Sequence, residues 1–287
     1  TNSSAIAKEH WRIVIYGPPG HGKTVLSASF SEKFPSSEEF KSRLTAEKRE
    51  VIKLTDMLWM GFDNGACNSL ASLGLEVDVL DYVSLRNKFP NHSALDVCNM
   101  MVNAAASAKD KTTIVVDTLS KQVDEYEEFC KASCEALVQD SSLEVFEKNS
   151  IRMYRQLASL NRKFKADMFS LKKHIIMCCH SHMPTIMDKP DADKEELKAF
   201  LTLPGGAKVE PQLTGQAKKI YLNDPSMQLF LVAQKSMRQA GKLIRKLYSS
   251  PNQKAQCKNR FAGLMPEVIE EPHLREIYNM VVAKLPN

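Results

Sequence analysis

Residues 11–34 read WRIVIYGPPGHGKTVLSASFSEKF, and this stretch decides the fold. Trp11 to Tyr16 form a short apolar run of strand type. Gly17-Pro18-Pro19-Gly20-His21-Gly22-Lys23-Thr24 then fits G-x-x-x-x-G-K-[ST], and Val25, Leu26, Phe30 and Phe34 continue at helical spacing. Strand, glycine loop and helix in that order form the context this phosphate-binding motif requires. Its glycines let successive N–H groups turn inward on phosphate oxygens, and the helix N-terminus adds partial positive charge. Lys23 is then expected to reach the β- and γ-phosphates, and the Thr24 hydroxyl to ligate Mg²⁺. Residues Gly17 to Val25 are the expected nucleotide cradle, with ATP and Mg²⁺ as the cofactors.

Such a loop needs a second carboxylate on the metal side, at the end of a neighbouring strand. KTTIVVDTLS supplies it, because Thr113 to Val116 is β-branched and ends in Asp117. Between the two elements lie MLWMGFDNGACNSLASLG and LEVDVLDYVSL, each an apolar run closing in an acid. They read as further parallel strands whose C-terminal ends line one crevice. Asp63 closes the first and is placed to polarise an attacking water. N-capping of a helix over residues 66–73 is its plainer alternative.

At 287 residues the chain has room for one large α/β domain. Its net charge of +5 is mild, but residues 218–260 hold ten Lys or Arg against the lone Asp224, which suits a polyanionic partner or a solvated face. Seven cysteines without framework spacing argue for a reducing compartment. No run approaches the ~18 apolar residues of a membrane span, and the start does not read as a signal peptide. The expectation is a cytoplasmic protein with no membrane partner. HIIMCCHSHM, residues 174–183, looks at first like a zinc cluster. No C-x-x-C pair supports that, and a structural site needs four ligands. Strand alternation instead puts Cys178, His180 and His182 on one face and Cys179 on the other.

YGPPGHGKT, GFDNGA, TTIVVDTLS, IIMCCHSH, PQLTGQAKK and KNRF occur in an order that resembles the RecA-like ATPases. More closely, they resemble the compact phage-encoded members that act in recombination and single-strand annealing. The resemblance spans Trp11 to about Pro266 and implies a mostly parallel central sheet flanked by helices, with an antiparallel C-terminal extension. It implies DNA-stimulated ATP hydrolysis by a ring or filament of identical subunits on single-stranded DNA. Asp63 falls where relatives carry the catalytic base, often Glu. His180, with His182 as fallback, takes the place of the polar group that senses the γ-phosphate. Lys258 and Arg260 resemble the basic pair that ring-forming motors insert into a neighbour's site.

The domain reading is a tail over 1–10, an ATPase domain over 11–266 and a helical segment over 267–287. Within it, residues 183–219 read as a long proline-broken loop, where the resemblance places a DNA contact. Residues 220–250 read as antiparallel strands KIYLND, MQLFLVAQK and KLIRKLYSS. The stretch 150–174 reads as a crossover helix into the strand that carries His180. A P-loop switch, an assembly factor or a small-molecule kinase, without a nucleic-acid role, is the competing class.

Overall fold

The protein is described by a computed structural model over residues 10–46, 49–63, 65–135, 143–182, 209–213, 215–235, 243–251 and 255–285. Strand β1 (Arg12–Gly17) is buried from Ile13 onward on both faces, as its unbroken apolar run requires of a central parallel strand. It lies between two parallel neighbours, β5 (His174–His182) and β7 (Met227–Lys235). Beyond β5 come β4 (Thr113–Asp117), β2 (Ile52–Gly61) and β3 (Leu75–Asp81), all parallel. Beyond β7, β8 (Leu243–Tyr248) and β10 (Val268–Glu270) pair antiparallel. The short β6 (Glu210–Pro211) pairs with β5, and β9 (Lys258–Asn259) with β7. This is the RecA-like arrangement, a mostly parallel sheet with an antiparallel C-terminal extension.

Helices cover both faces. Strand alternation sends Val14, Tyr16, Val116, Met177 and Cys179 to one core. There they meet α5 (Ala94–Ser107), α6 (Leu119–Glu135), α7 (Leu143–Ser170) and α8 (Gly215–Leu222), through Met101, Tyr126, Phe164 and Tyr221. Ile13, Ile15, Trp59, Val115 and Cys178 enter the other core. That core is closed by α1 (Lys23–Ala28), α3 (Gly65–Ala71) and α9 (Leu274–Lys284), through Leu26, Leu70, Leu274 and Ile277. Burying several such side chains on each face contributes about 1.5–3 kcal/mol apiece. The remaining helices, α2 (Ser37–Thr45) and α4 (Tyr82–Lys88), sit at the periphery.

Several expectations need correction. Residues 219–224 are not a strand. Gly215–Leu222 is helix α8, and Ala217, Ile220 and Tyr221 bury one helical stripe. The Tyr221 hydroxyl lies 3.1 Å from Gln122 Oε1 and 3.0 Å from Asn161 Oδ1, docking α8 on α6 and α7. The first strand of the extension, β7, is parallel rather than antiparallel. The stretch read as a loop to residue 219 ends earlier, since β6 and α8 occupy its last part; residues 183–208 lie outside the described residues. Helix α1 stops at Ala28 rather than running to Phe34. Ser29 Oγ there donates to the Leu26 carbonyl at 2.6 Å, and Phe30 and Ser31 close tighter three-residue turns. The segment after 267 contains strand β10 as well as helix α9.

Candidate nucleotide site

Parallel register alone brings the candidate groups to one edge of the sheet. Gly17 of β1 stands beside His180 of β5, Cys178 of β5 beside Asp117 of β4, and Asp117 beside Gly61 of β2. Between Gly17 and α1 the chain makes its glycine loop. Gly22 caps the helix at φ 91°, a left-handed conformation that a side chain would strain. Gly17 is needed for a different reason, since a Cβ there would lie 2.1 Å from the carbonyl oxygen of Leu231 on β7. His21 fastens the loop to the same strand, its Nδ1 accepting the Ala233 N–H at 2.9 Å.

Lys23 opens α1 and is buried, with Nζ donating to the carbonyls of Gly17 at 2.8 Å and Pro18 at 2.9 Å. Burial pulls its pKa down, while Cys178, Asp117, Cys179 and Asp63 pull it back up. The Thr24 hydroxyl donates to Asp117 Oδ2 at 2.8 Å. Asp117 is buried, and burial raises its carboxyl to about 6, with the Thr24 bond opposing and the charge of Asp63 adding. These groups line a cleft of about 390 Å³ together with Gly20, Asp63 and His180. Burial and then the charge of Lys23 lower the pKa of His180, so its ring is neutral near pH 7. His180 Nδ1 is buried, with no hydrogen-bond partner among the described residues. A buried polar atom without a partner costs about 1–3 kcal/mol.

The donor set fits the expected cofactors. Thr24 and Asp117 offer hard oxygens side by side, as Mg²⁺ takes them. A divalent cation there would offset the adjacent charges of Asp117 and Asp63. Left-handed glycines, the buried ammonium of Lys23 and the orphaned Nδ1 of His180 suit a phosphate chain. The family described as an AAA domain matches residues 9–261, most of the chain. The chain belongs to that family. No curated protein matches it in sequence. Among solved structures, a KaiC-like protein from the hyperthermophilic archaeon Pyrococcus horikoshii OT3 is similar over 84% of this chain and 78% of its own. That similarity has a TM-score of 0.42 and 10% sequence identity.

Other candidates are distributed over the AAA domain unevenly. His182 stands beyond the cleft, paired in the ladder with Glu210 of β6, so His180 is the histidine that faces the nucleotide loop. Cys178 and Cys179 enter opposite cores, both fully buried. Lys258 and Arg260 do not join the cleft. β9 pairs with Met227 and Gln228, at the start of β7, which is the far edge of the sheet from the glycine loop. Lys258 Nζ there donates to the Asn223 carbonyl. No helix among the described residues is long and apolar enough to cross a membrane. Sequence reasoning missed Arg245, which lines the cleft from β8. Its strand alternates as an ordinary edge strand does, and only the β8–β7–β1 pairing brings it to the loop.

Proposed function

We propose that this AAA domain binds ATP with Mg²⁺, hydrolyses it, and acts on single-stranded DNA in recombination, annealing or replication. The observation that carries the nucleotide part is the convergence of Lys23, the Thr24–Asp117 pair, Asp63 and the orphaned His180 Nδ1 on one cleft. Thr24 and Asp117 would hold the magnesium ion, which would supply positive charge to the phosphate chain. Lys23 holds and orients the phosphate chain. Asp63 accepts the proton of the attacking water, and neutral His180 donates Nδ1–H to the terminal phosphate. In this reading Gly17 to Val25 form the wall of the site, with Pro18, Pro19 and His21 setting the loop's course.

The DNA part draws support from the resemblance of the motifs and from the basic excess over residues 218–260. A homo-oligomer, ring or filament, is part of the same proposal. Lys258 and Arg260 stand at the far edge of the sheet, so they reach a nucleotide only in a neighbouring copy. The cellular setting is the cytoplasm, that of the host if the chain is phage-encoded. The test is the ATPase rate with and without single-stranded DNA across a salt series. Stimulation with a steep inverse salt dependence is expected. Hydrolysis indifferent to DNA at low salt would favour a switch or assembly factor instead. Subunits carrying Lys258→Ala/Arg260→Ala, mixed with Lys23→Ala subunits, regain activity if the pair acts across the interface. Co-assembly without any regain refutes that role.

A further inference from the structure

Arg245 occupies a position that the nucleotide chemistry leaves unused. A side-chain carbon on Gly22 would stand 2.8 Å from its Nε, so the side chain lies directly against the glycine loop. It borders the cleft that holds Lys23 and also an adjoining apolar cleft lined by Val25, Phe40 and Leu231. The charge reaches the loop: burial lowers the pKa of His21 first, and Lys23 and Arg245 lower it further. Yet the guanidinium itself is loosely held. The side chain is 48% exposed, and its ion-pair partner among the described residues, Glu271 Oε2, stands 3.9 Å from Nη1.

Glu271 in turn is held in an unfavourable conformation. Its φ is 46°, a left-handed backbone for a residue that is not glycine, at a cost on the order of 1 kcal/mol or more. Two backbone-directed bonds fix it there. Arg245 N–H donates to Glu271 Oε1 at 2.9 Å, and Glu271 N–H donates to the Arg245 carbonyl at 2.8 Å. The next two residues lead into α9, whose Leu274 N–H donates to Ser29 Oγ at the end of α1 at 2.8 Å. The strained corner therefore joins the phosphate-binding helix at both ends, through Arg245 at its start and Ser29 at its finish.

We propose that Arg245 is a nucleotide-binding residue acting within its own subunit, and that Glu271 is the competing anion it leaves to grip the phosphate chain. This rests on the reading of the cleft as an ATP site. A guanidinium exchanging a 3.9 Å carboxylate contact for close phosphate oxygens gains short charge-assisted bonds. Glu271 then weakens nucleotide binding by stabilising the unengaged position of Arg245. Binding of nucleotide draws the guanidinium away from Oε2, while the Arg245 N–H bond to Oε1 keeps the corner itself in place.

The experiment measures Mg·ATP affinity by titration calorimetry on the whole chain. Wild type is compared with Lys23→Ala, Arg245→Ala, Glu271→Gln and the Arg245→Ala/Glu271→Gln double variant. Arg245→Ala is expected to weaken binding roughly tenfold or more. Glu271→Gln keeps an oxygen to accept the Arg245 N–H, removes the charge, and is expected to tighten binding about threefold. A merely structural Glu271 would not give that sign. In the Arg245→Ala background the effect of Glu271→Gln should vanish, since the cycle isolates their coupling. Arg245→Ala within twofold of wild type, or a Glu271→Gln effect equal in both backgrounds, overturns the proposal. If Lys23→Ala loses binding while Arg245→Ala keeps it, this proposal alone fails. If wild type binds no nucleotide, the ATP reading fails and takes this one with it.

Discussion

The two edges of the sheet treat charge in opposite ways. At the N-terminal edge, Lys53 meets Glu76 at 3.6 Å, Lys111 meets Asp78 and Asp110, and Lys165 meets Asp224. At the C-terminal edge, Asp117 is buried against the Thr24 hydroxyl, Lys23 rests on carbonyls rather than a carboxylate, and His180 Nδ1 has no partner among the described residues. The first edge settles its charges within the fold. The second keeps buried groups whose electrostatic needs only a ligand would meet, which is how a site differs from a scaffold.

The largest expected effect breaks the ligand edge outright. Lys23→Ala should weaken Mg·ATP binding about a hundredfold or more and reduce hydrolysis to background, since a charge-assisted contact to phosphate is lost. Near-normal binding in a fluorescence titration would mean the cleft is not a nucleotide site.

Asp117→Asn sharpens the comparison by moving function and stability in opposite directions. Hydrolysis should fall about a hundredfold as a metal ligand goes. Stability without nucleotide should rise, because the carboxyl of Asp117 sits at about 6 in the folded chain against an ordinary 3.8. A raised carboxyl favours the folded state fully below about pH 4 and loses that contribution as pH rises through 6. Two units correspond to about 3 kcal/mol at neutral pH. Thermal melts from pH 4 to 7 should therefore show wild type losing ground against the variant. Parallel curves would count against a charged buried Asp117.

His180→Ala comes next, with turnover lowered about tenfold and nucleotide affinity within a few-fold, as for a group used mainly in the transition state. An affinity loss equal to the turnover loss would make it a binding group instead. Smallest of all is Lys53→Ala at the opposite edge. Removing that exposed pair should cost under about 1 kcal/mol in a denaturant melt and leave ATP binding untouched.

Much of the site was legible because its parts are local strings. The glycine loop, the β-branched run into Asp117 and the alternating HIIMCCHSH each carry their own geometry, and parallel register does the rest. The errors fell where tertiary contacts overrule local preference. KIYL is rich in residues that favour strands, yet Ala217, Ile220 and Tyr221 already had the spacing of a helical face, and docking beside Gln122 and Asn161 decided it. Helix α1 ended early because Ser29 and Ser31 turned their hydroxyls on the Leu26 carbonyl and on Asp56. Arg245 was illegible in principle: its place depends on β8 crossing to β7 and β7 to β1, pairings no short window contains.

The buried cysteines give the molecule built-in reporters. Cys178 lies 3.2 Å from Ser27 Oγ, where α1 packs on the His180 strand, and burial pushes its thiol far above the ordinary value. Cys98 lies on the inner face of α5 in the other core, its thiol raised to about 12 by burial. Neither can react with an alkylating reagent until a helix lifts from the sheet, α1 for Cys178 and α5 for Cys98. The labelling rate of each therefore times a separate opening, and a nucleotide that clamps α1 would slow the clock at Cys178 while the one at Cys98 keeps its pace.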